Sequence, residues 1–152
     1  GESRLPDRTA FSLRIDLRLK SAYVSEARDR ILIYKRAADA VREEDIAAIE
    51  TDLRDRFGPI PQEARDLLTY SRLRVLAENL GIAKVDRAGA RLDLSFTETP
   101  QVDPAKLARL VAGWPGAQFS RQGGGLSVPL GPGAPLDATR AALERLASAK
   151  IS

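Results

Sequence analysis

The amino-acid sequence predicts an α+β domain: a helical N-terminal part followed by a small, mostly antiparallel sheet of hairpins covered by helices. Three observations predict it. Between residues 25 and 80 apolar residues recur at spacings of three and four, with glycine and proline at the ends of each run. After residue 82 short period-two runs flank turn-forming residues, and two further helical patterns separate or follow them. The order of these patterns (helices, hairpin, helix, hairpin, helix) is that of segregated α and β layers rather than of alternating βα units.

Each element can be justified in turn. Residues 1–10 are polar and without pattern, so they are expected to be frayed or foreign to the domain, which leaves 11–152 as a single α+β domain. Phe11, Leu13, Ile15, Leu17 and Leu19 alternate with Ser12, Arg14, Asp16, Arg18 and Lys20, as in a strand with one buried face. Ser25 offers an N-cap for a first helix whose apolar stripe is Ile31, Tyr34, Ala38 and Val41. A second helix begins near residue 44, with Ile46, Ile49, Leu53 and Phe57 inward and Asp45, Ala48, Asp52 and Asp55 outward. Gly58 ends it in a left-handed conformation, and Pro59 cannot continue it.

Pro61 suits the first turn of a third helix reaching about Leu80, apolar at Ala64, Leu67, Leu68, Leu73 and Leu76, with Gly81 as its stop. Ile82 to Asp86, a turn at Arg87 to Ala90, and a strand with Leu92, Leu94 and Phe96 inward make a hairpin. Asp103-Pro104 opens a short helix that closes near Gly113. A second hairpin turns around Gly123 to Gly125, and Pro129 is expected on an edge strand. Residues 131–135 form a loop, and a last helix, with Asp137 near its cap, carries Ala138, Ala142, Leu143 and Leu146.

Composition removes most enzyme classes. The chain of 152 residues contains no Cys and no His, so it lacks the thiolate nucleophile, the commonest acid/base group and the commonest transition-metal ligand. The absence of Cys fits a reducing, cytoplasmic setting. No run of about 18 apolar residues is present to span a membrane. Met is absent as well, and the chain begins Gly1-Glu2-Ser3, as expected of a piece of something longer. Hydrophobic residues at 43% and charged residues at 30% exclude a disordered chain. The net charge of +3 is spread among carboxylates rather than gathered in one basic block, so it favours nucleic acid only weakly.

Several constellations carry a functional and a bland reading side by side. Asp52 and Asp55, one helical turn apart, resemble an acid/base pair, but they share a solvent stripe with Asp45, where nothing shifts a pKa toward catalysis. The glycine runs at 121–126 and 131–135 lack the Lys-Ser/Thr of a phosphate loop and are read as turns. Arg28, Arg30, Lys35, Arg36 and Arg42 are cations that a phosphate backbone would attract, yet they alternate with Glu26 and Asp29. Trp114 is either a partner anchor or a plug at the domain edge. The Asp45, Asp52 and Asp55 stripe is either a solvated face or a docking face for arginines, since each carboxylate can accept a paired guanidinium.

Three strings, "RILIYKRAA" (30–38), "LRDRFGPIPQEARDLL" (53–68) and "RLRVLAENLGIAKVD" (72–86), together resemble the C-terminal domain of the bacterial transcription-repair coupling factor family. The resemblance covers roughly residues 11–150 and is strongest before Leu92. Where that family has a longer proline-containing passage before the first helix, this chain has "YVSE" at 23–26. The resemblance implies a non-catalytic domain with no cofactor of its own, within an ATP-driven DNA translocase whose ATP, magnesium and DNA sites lie in other domains. It implies that the domain packs on the N-terminal UvrA-binding module of the same polypeptide and masks it. Release would follow engagement of RNA polymerase, so that UvrA and polymerase are indirect partners. The same resemblance places Asp52 and Asp55 at the contact with a basic surface of that module, with Arg56 and Asp45 as weaker neighbours. The rival expectation, from the basic balance and the Arg-rich first helix, is a module that contacts the DNA backbone directly. A small enzyme is a third reading and needs a pocket of converging titratable groups.

Overall fold

The computed structural model describes residues 8–121 and 123–152. These residues form five helices and a five-stranded mixed sheet, an α+β fold as expected. The chain divides into two compact units, one comprising Ile15–Val75 and the other the chain up to Arg14 together with Leu76–Ser152.

The first unit is helical. An irregular extended segment leads into α1 (Ala27–Asp39), α2 (Glu43–Phe57) and α3 (Gln62–Asn79), the last of which runs on past Val75. Ile33 and Ala37 of α1, Ile46, Ile49 and Leu53 of α2, and Ala64, Leu67 and Leu68 of α3 form one buried cluster. Leu19 and Val24 close it from the lead-in segment. The guanidinium of Arg74, itself buried, donates from Nη2 to the carbonyls of Ala37 (2.8 Å) and Ala40 (3.0 Å), satisfying acceptors that the end of α1 leaves without a helical partner. Gly58 takes φ +85° at the C-terminus of α2, the stop expected there.

Three expectations for residues 11–41 are corrected. The ten-residue strand from Phe11 is only β1 (Ala10–Ser12), because Arg14 adopts φ +57° and breaks the pleat. Beyond it Asp16 and Arg18 pair with each other, while Leu13 and Leu19 are buried. The inner stripe of α1 is Ile33, Ala37 and the following Ala40, with Tyr34 packed against its margin as expected, and Ile31, Ala38 and Val41 lie outside it; Ile31 is 65% exposed and Val41 39%. Both stripes have helical spacing, and only packing chooses between them. Ser25 does not cap α1 either. The residue before the helix is Glu26, with no side-chain cap, and the Arg30 Nη1 donates to the carbonyls of Val24 and Ser25.

The second unit carries the sheet, in the order β1-β2-β3-β5-β4, from β1, β2 (Ile82–Ala88), β3 (Arg91–Phe96), β4 (Gln118–Phe119) and β5 (Gly125–Pro129). β1 runs parallel to β2, and every other pairing is antiparallel. Val85, Leu92, Leu94, Leu126 and Val128 share its buried face. Helices α4 (Pro104–Ala112) and α5 (Pro135–Ala147) turn Leu107, Val111, Leu143 and Leu146 inward. Asp103 caps α4 by accepting from the N–H groups of Ala105 and Lys106. Arg8, Thr9 and Ala10 belong to the fold and are not frayed: Arg8 lies 3.4 Å from the Glu78 carboxylate, Ala10 opens β1, and buried Thr9 donates through Oγ1 to the Ile82 carbonyl; the rest of the expectation, residues 1–7, lies outside the described residues. β5 is not an edge strand, since β4 pairs on its far side. Pro129 is tolerated because that ladder ends at Ser127. Gly81 (φ +73°) stops the helical run, and a Cβ there would lie within 2.8 Å of the backbone of Thr99, Pro100 and Gln101.

Candidate interdomain contact face

The outward side of α2 follows from its inward one. With Ile46, Ile49 and Leu53 in the core, the charged residues between and beyond them on α2 lie toward solvent, and Asp52 and Asp55 are both exposed. The end of the helix that presents them is held from the core side. The Tyr23 hydroxyl bridges the carbonyls of Leu53 (3.2 Å) and Gly58 (3.1 Å), and its ring packs at 5.8 Å from that of Phe57.

The four residues singled out by the resemblance have different surroundings. Asp52 accepts from Arg36 Nη1 at 2.6 Å, with side chains 52% and 43% exposed respectively. Arg36, one of the α1 cations read as a phosphate-tracking group, is thus committed to α2. Asp55 has no hydrogen-bond or ion-pair partner among the described residues. Arg56 lies 3.5 Å from Asp29 of α1 and rests its guanidinium 4.8 Å from the centre of the Phe57 ring.

Asp45 is spent on the helix itself. Its Oδ2 accepts from the backbone N–H groups of Val41 (2.9 Å) and Arg42 (3.1 Å), half of a capping box. The Val41 N–H, seconded by that of Arg42, holds its carboxyl below the ordinary carboxylate value. The acidic stripe therefore resolves into a cap, a paired carboxylate and a free one. Spacing shows that the three share a face but is silent on these partners, since the N–H groups and Arg36 come from the preceding turn and another helix.

Among the described residues no group of three or more carboxylate, His or Cys side chains is placed to hold a metal ion. No helix is long and apolar enough to cross a membrane. A shallow cleft of about 450 Å³ beside the end of α2 is lined by Glu50, Arg54, Gly58, Pro59, Ile60 and Arg65. Trp114 is only 7% exposed and lies under the Arg145 guanidinium, 4.4 Å from the ring centre, which makes it a plug within the second unit and not an exposed anchor.

The sequence model of a family described as the TRCF domain matches residues 13–107. The transcription-repair-coupling factor of Escherichia coli K12 is 35% identical over 114 residues, which is 72% of this chain and 10% of that protein. Its counterpart in Mycobacterium bovis is 33% identical over 135 residues, 86% of this chain and 11% of that protein. The chain thus spans about a tenth of the length of these relatives. In three dimensions it is similar to the crystal structure of the C-terminal domain of transcription-repair coupling factor. The TM-score is 0.74 over 95% of this chain and 98% of that one, at 18% identity, a likeness of fold.

Proposed function

Since the chain belongs to the TRCF domain family, we propose that it is the regulatory, non-catalytic C-terminal domain of a transcription-repair coupling factor. It acts as a latch, docking on the N-terminal UvrA-binding module of the same polypeptide and masking it until RNA polymerase engages. ATP, magnesium and DNA are handled by other domains of that parent protein. The observation that carries this reading is the exposed pair Asp52 and Asp55, one turn apart at the pinned end of α2.

The energetics suit a contact that must open. An exposed ion pair such as Arg36–Asp52 contributes at most about 1 kcal/mol, so an incoming guanidinium can replace Arg36 at little cost. Asp55 needs no exchange at all. Tethering within one polypeptide supplies an effective concentration of order millimolar, so a small polar interface is enough to keep the latch closed. Moving it from about 1:99 to 99:1 requires the open form to be favoured by roughly 5.5 kcal/mol, within reach of several contacts to polymerase and DNA.

In the full-length translocase, Asp52→Ala combined with Asp55→Ala is expected to raise both UvrA binding and basal ATPase, with Asp55→Ala alone giving a large share of the effect. If neither quantity changes in the double variant, the latch does not run through these carboxylates.

A further inference from the structure

One of the two carboxylates offered to a partner is occupied from within the helical unit, and only in part. Asp52 Oδ2 accepts from Arg36 Nη1 at 2.6 Å, while Asp52 Oδ1 has no hydrogen bond among the described residues. The contact uses one of the five N–H donors of the guanidinium. The Asp16–Arg18 pair of the same unit shows the fuller arrangement, with Nε–Oδ1 at 3.1 Å and Nη2–Oδ2 at 3.0 Å. Arg36 thus holds Asp52 without the second, parallel bond that makes arginine–carboxylate pairs strong.

Arg36 can let go without unpacking the helices. The two helices stay joined through Ile33, Ala37, Ile46, Ile49 and Leu53 of the core and through the Asp29–Arg56 pair at 3.5 Å. The C-terminus of α1 keeps the Arg74 bonds to the Ala37 and Ala40 carbonyls. Arg36 itself lies in the last turn of α1, where the helix dipole favours a cation whether or not a carboxylate is beside it. Its displaced guanidinium therefore has a favourable place to rest.

Two cations on one exposed carboxylate repel each other, so Arg36 and a docking guanidinium exclude one another at Asp52. We propose that Arg36 is a built-in competitor that sets the strength of the latch: it yields Asp52 when the latch closes and takes it back on opening, which stabilises the released form. This rests on the latch reading and adds to it how the contact is regulated. The docking guanidinium prevails in the closed form because it can meet both carboxylate oxygens at once, and because tethering keeps it at high effective concentration. Asp55, with no ion-pair partner among the described residues, is outside the competition, so the influence of Arg36 passes through Asp52 alone.

The test measures UvrA affinity and basal ATPase of the full-length translocase. Arg36→Ala is expected to lower UvrA affinity about two- to fivefold, the range an exposed ion pair can supply, and to lower basal ATPase with it. The sign is opposite to that of Asp52→Ala. Arg36→Lys, which keeps the charge, should fall between the parent and Arg36→Ala. With Asp52→Ala in place, Arg36→Ala should have no further effect, a dependence that a loss of general packing would not show. The proposal is overturned if Arg36→Ala raises UvrA affinity, which would make Arg36 the group that presents Asp52 to the partner. It is overturned equally if Arg36→Ala changes nothing, or if its effect persists without Asp52. Where Asp52→Ala with Asp55→Ala raises UvrA binding and Arg36→Ala does not lower it, the latch stands and the competitor falls; where the double variant changes neither quantity, both fall.

Discussion

The Asp45 carboxylate bonds two backbone N–H groups at the start of α2, whereas Asp55, on the same helix face, bonds nothing among the described residues. The same residue type at the same kind of position thus has two uses. Asp45 is held below its ordinary value in the folded state by the Val41 and Arg42 N–H groups. A depressed carboxylate adds stability that is present above its unfolded pKa and is lost as pH falls through the folded value, so the window lies below about pH 4. Asp45→Asn keeps an oxygen acceptor but cannot titrate. Urea unfolding at pH 5 and pH 3 should therefore show a smaller acid loss in the variant than in the parent chain.

Among the elements, α1 shows where periodicity stops being informative. Ile31, Tyr34, Ala38 and Val41 satisfy helical spacing as well as Ile33, Ala37 and Ala40 do, and a helix with two apolar stripes can bury either. The ion pairs to α2, Arg36–Asp52 and Asp29–Arg56, and the Arg74 grip on the Ala37 and Ala40 carbonyls accompany the second choice. Ile33 is 4% exposed and Ile31 65%. Truncating Ile33 to Ala should accordingly cost about 2–5 kcal/mol in chemical denaturation, through lost burial and the cavity left behind. Ile31→Ala should stay within about 0.5 kcal/mol, as surface changes do. α2 was legible because its large apolar residues, Ile46, Ile49, Leu53 and Phe57, make a single helically spaced stripe. α4 was legible for a local reason, the Asp103 cap followed by Pro104.

For the whole molecule, the net charge of +3 says little until the pairing of charges is known. Arg36, Arg56 and Arg72 are tied to Asp52, Asp29 and to Glu43 with Glu50. Cations neutralised in this way release few counterions on meeting a phosphate backbone, so duplex affinity should be negligible at physiological salt. A salt titration with labelled duplex DNA checks this. Appreciable binding that falls steeply with salt would favour the direct DNA-contacting alternative over the latch.

The sequence by itself determined the α+β class, the extent of α2 and α3, the β2–β3 hairpin and the outward direction of Asp52 and Asp55. These depend on residues close in the chain, through periodicity, proline and glycine stops, and the pleat. Only the tertiary structure decided which stripe of α1 is core, that β1 stops after three residues, that β1 runs parallel to β2 in a mixed sheet, and that among the described residues Asp52 is paired while Asp55 is not. Each of those outcomes is a contact between segments distant in sequence or a single left-handed residue, Arg14. Spacing along the chain carries no record of which distant group a side chain will meet.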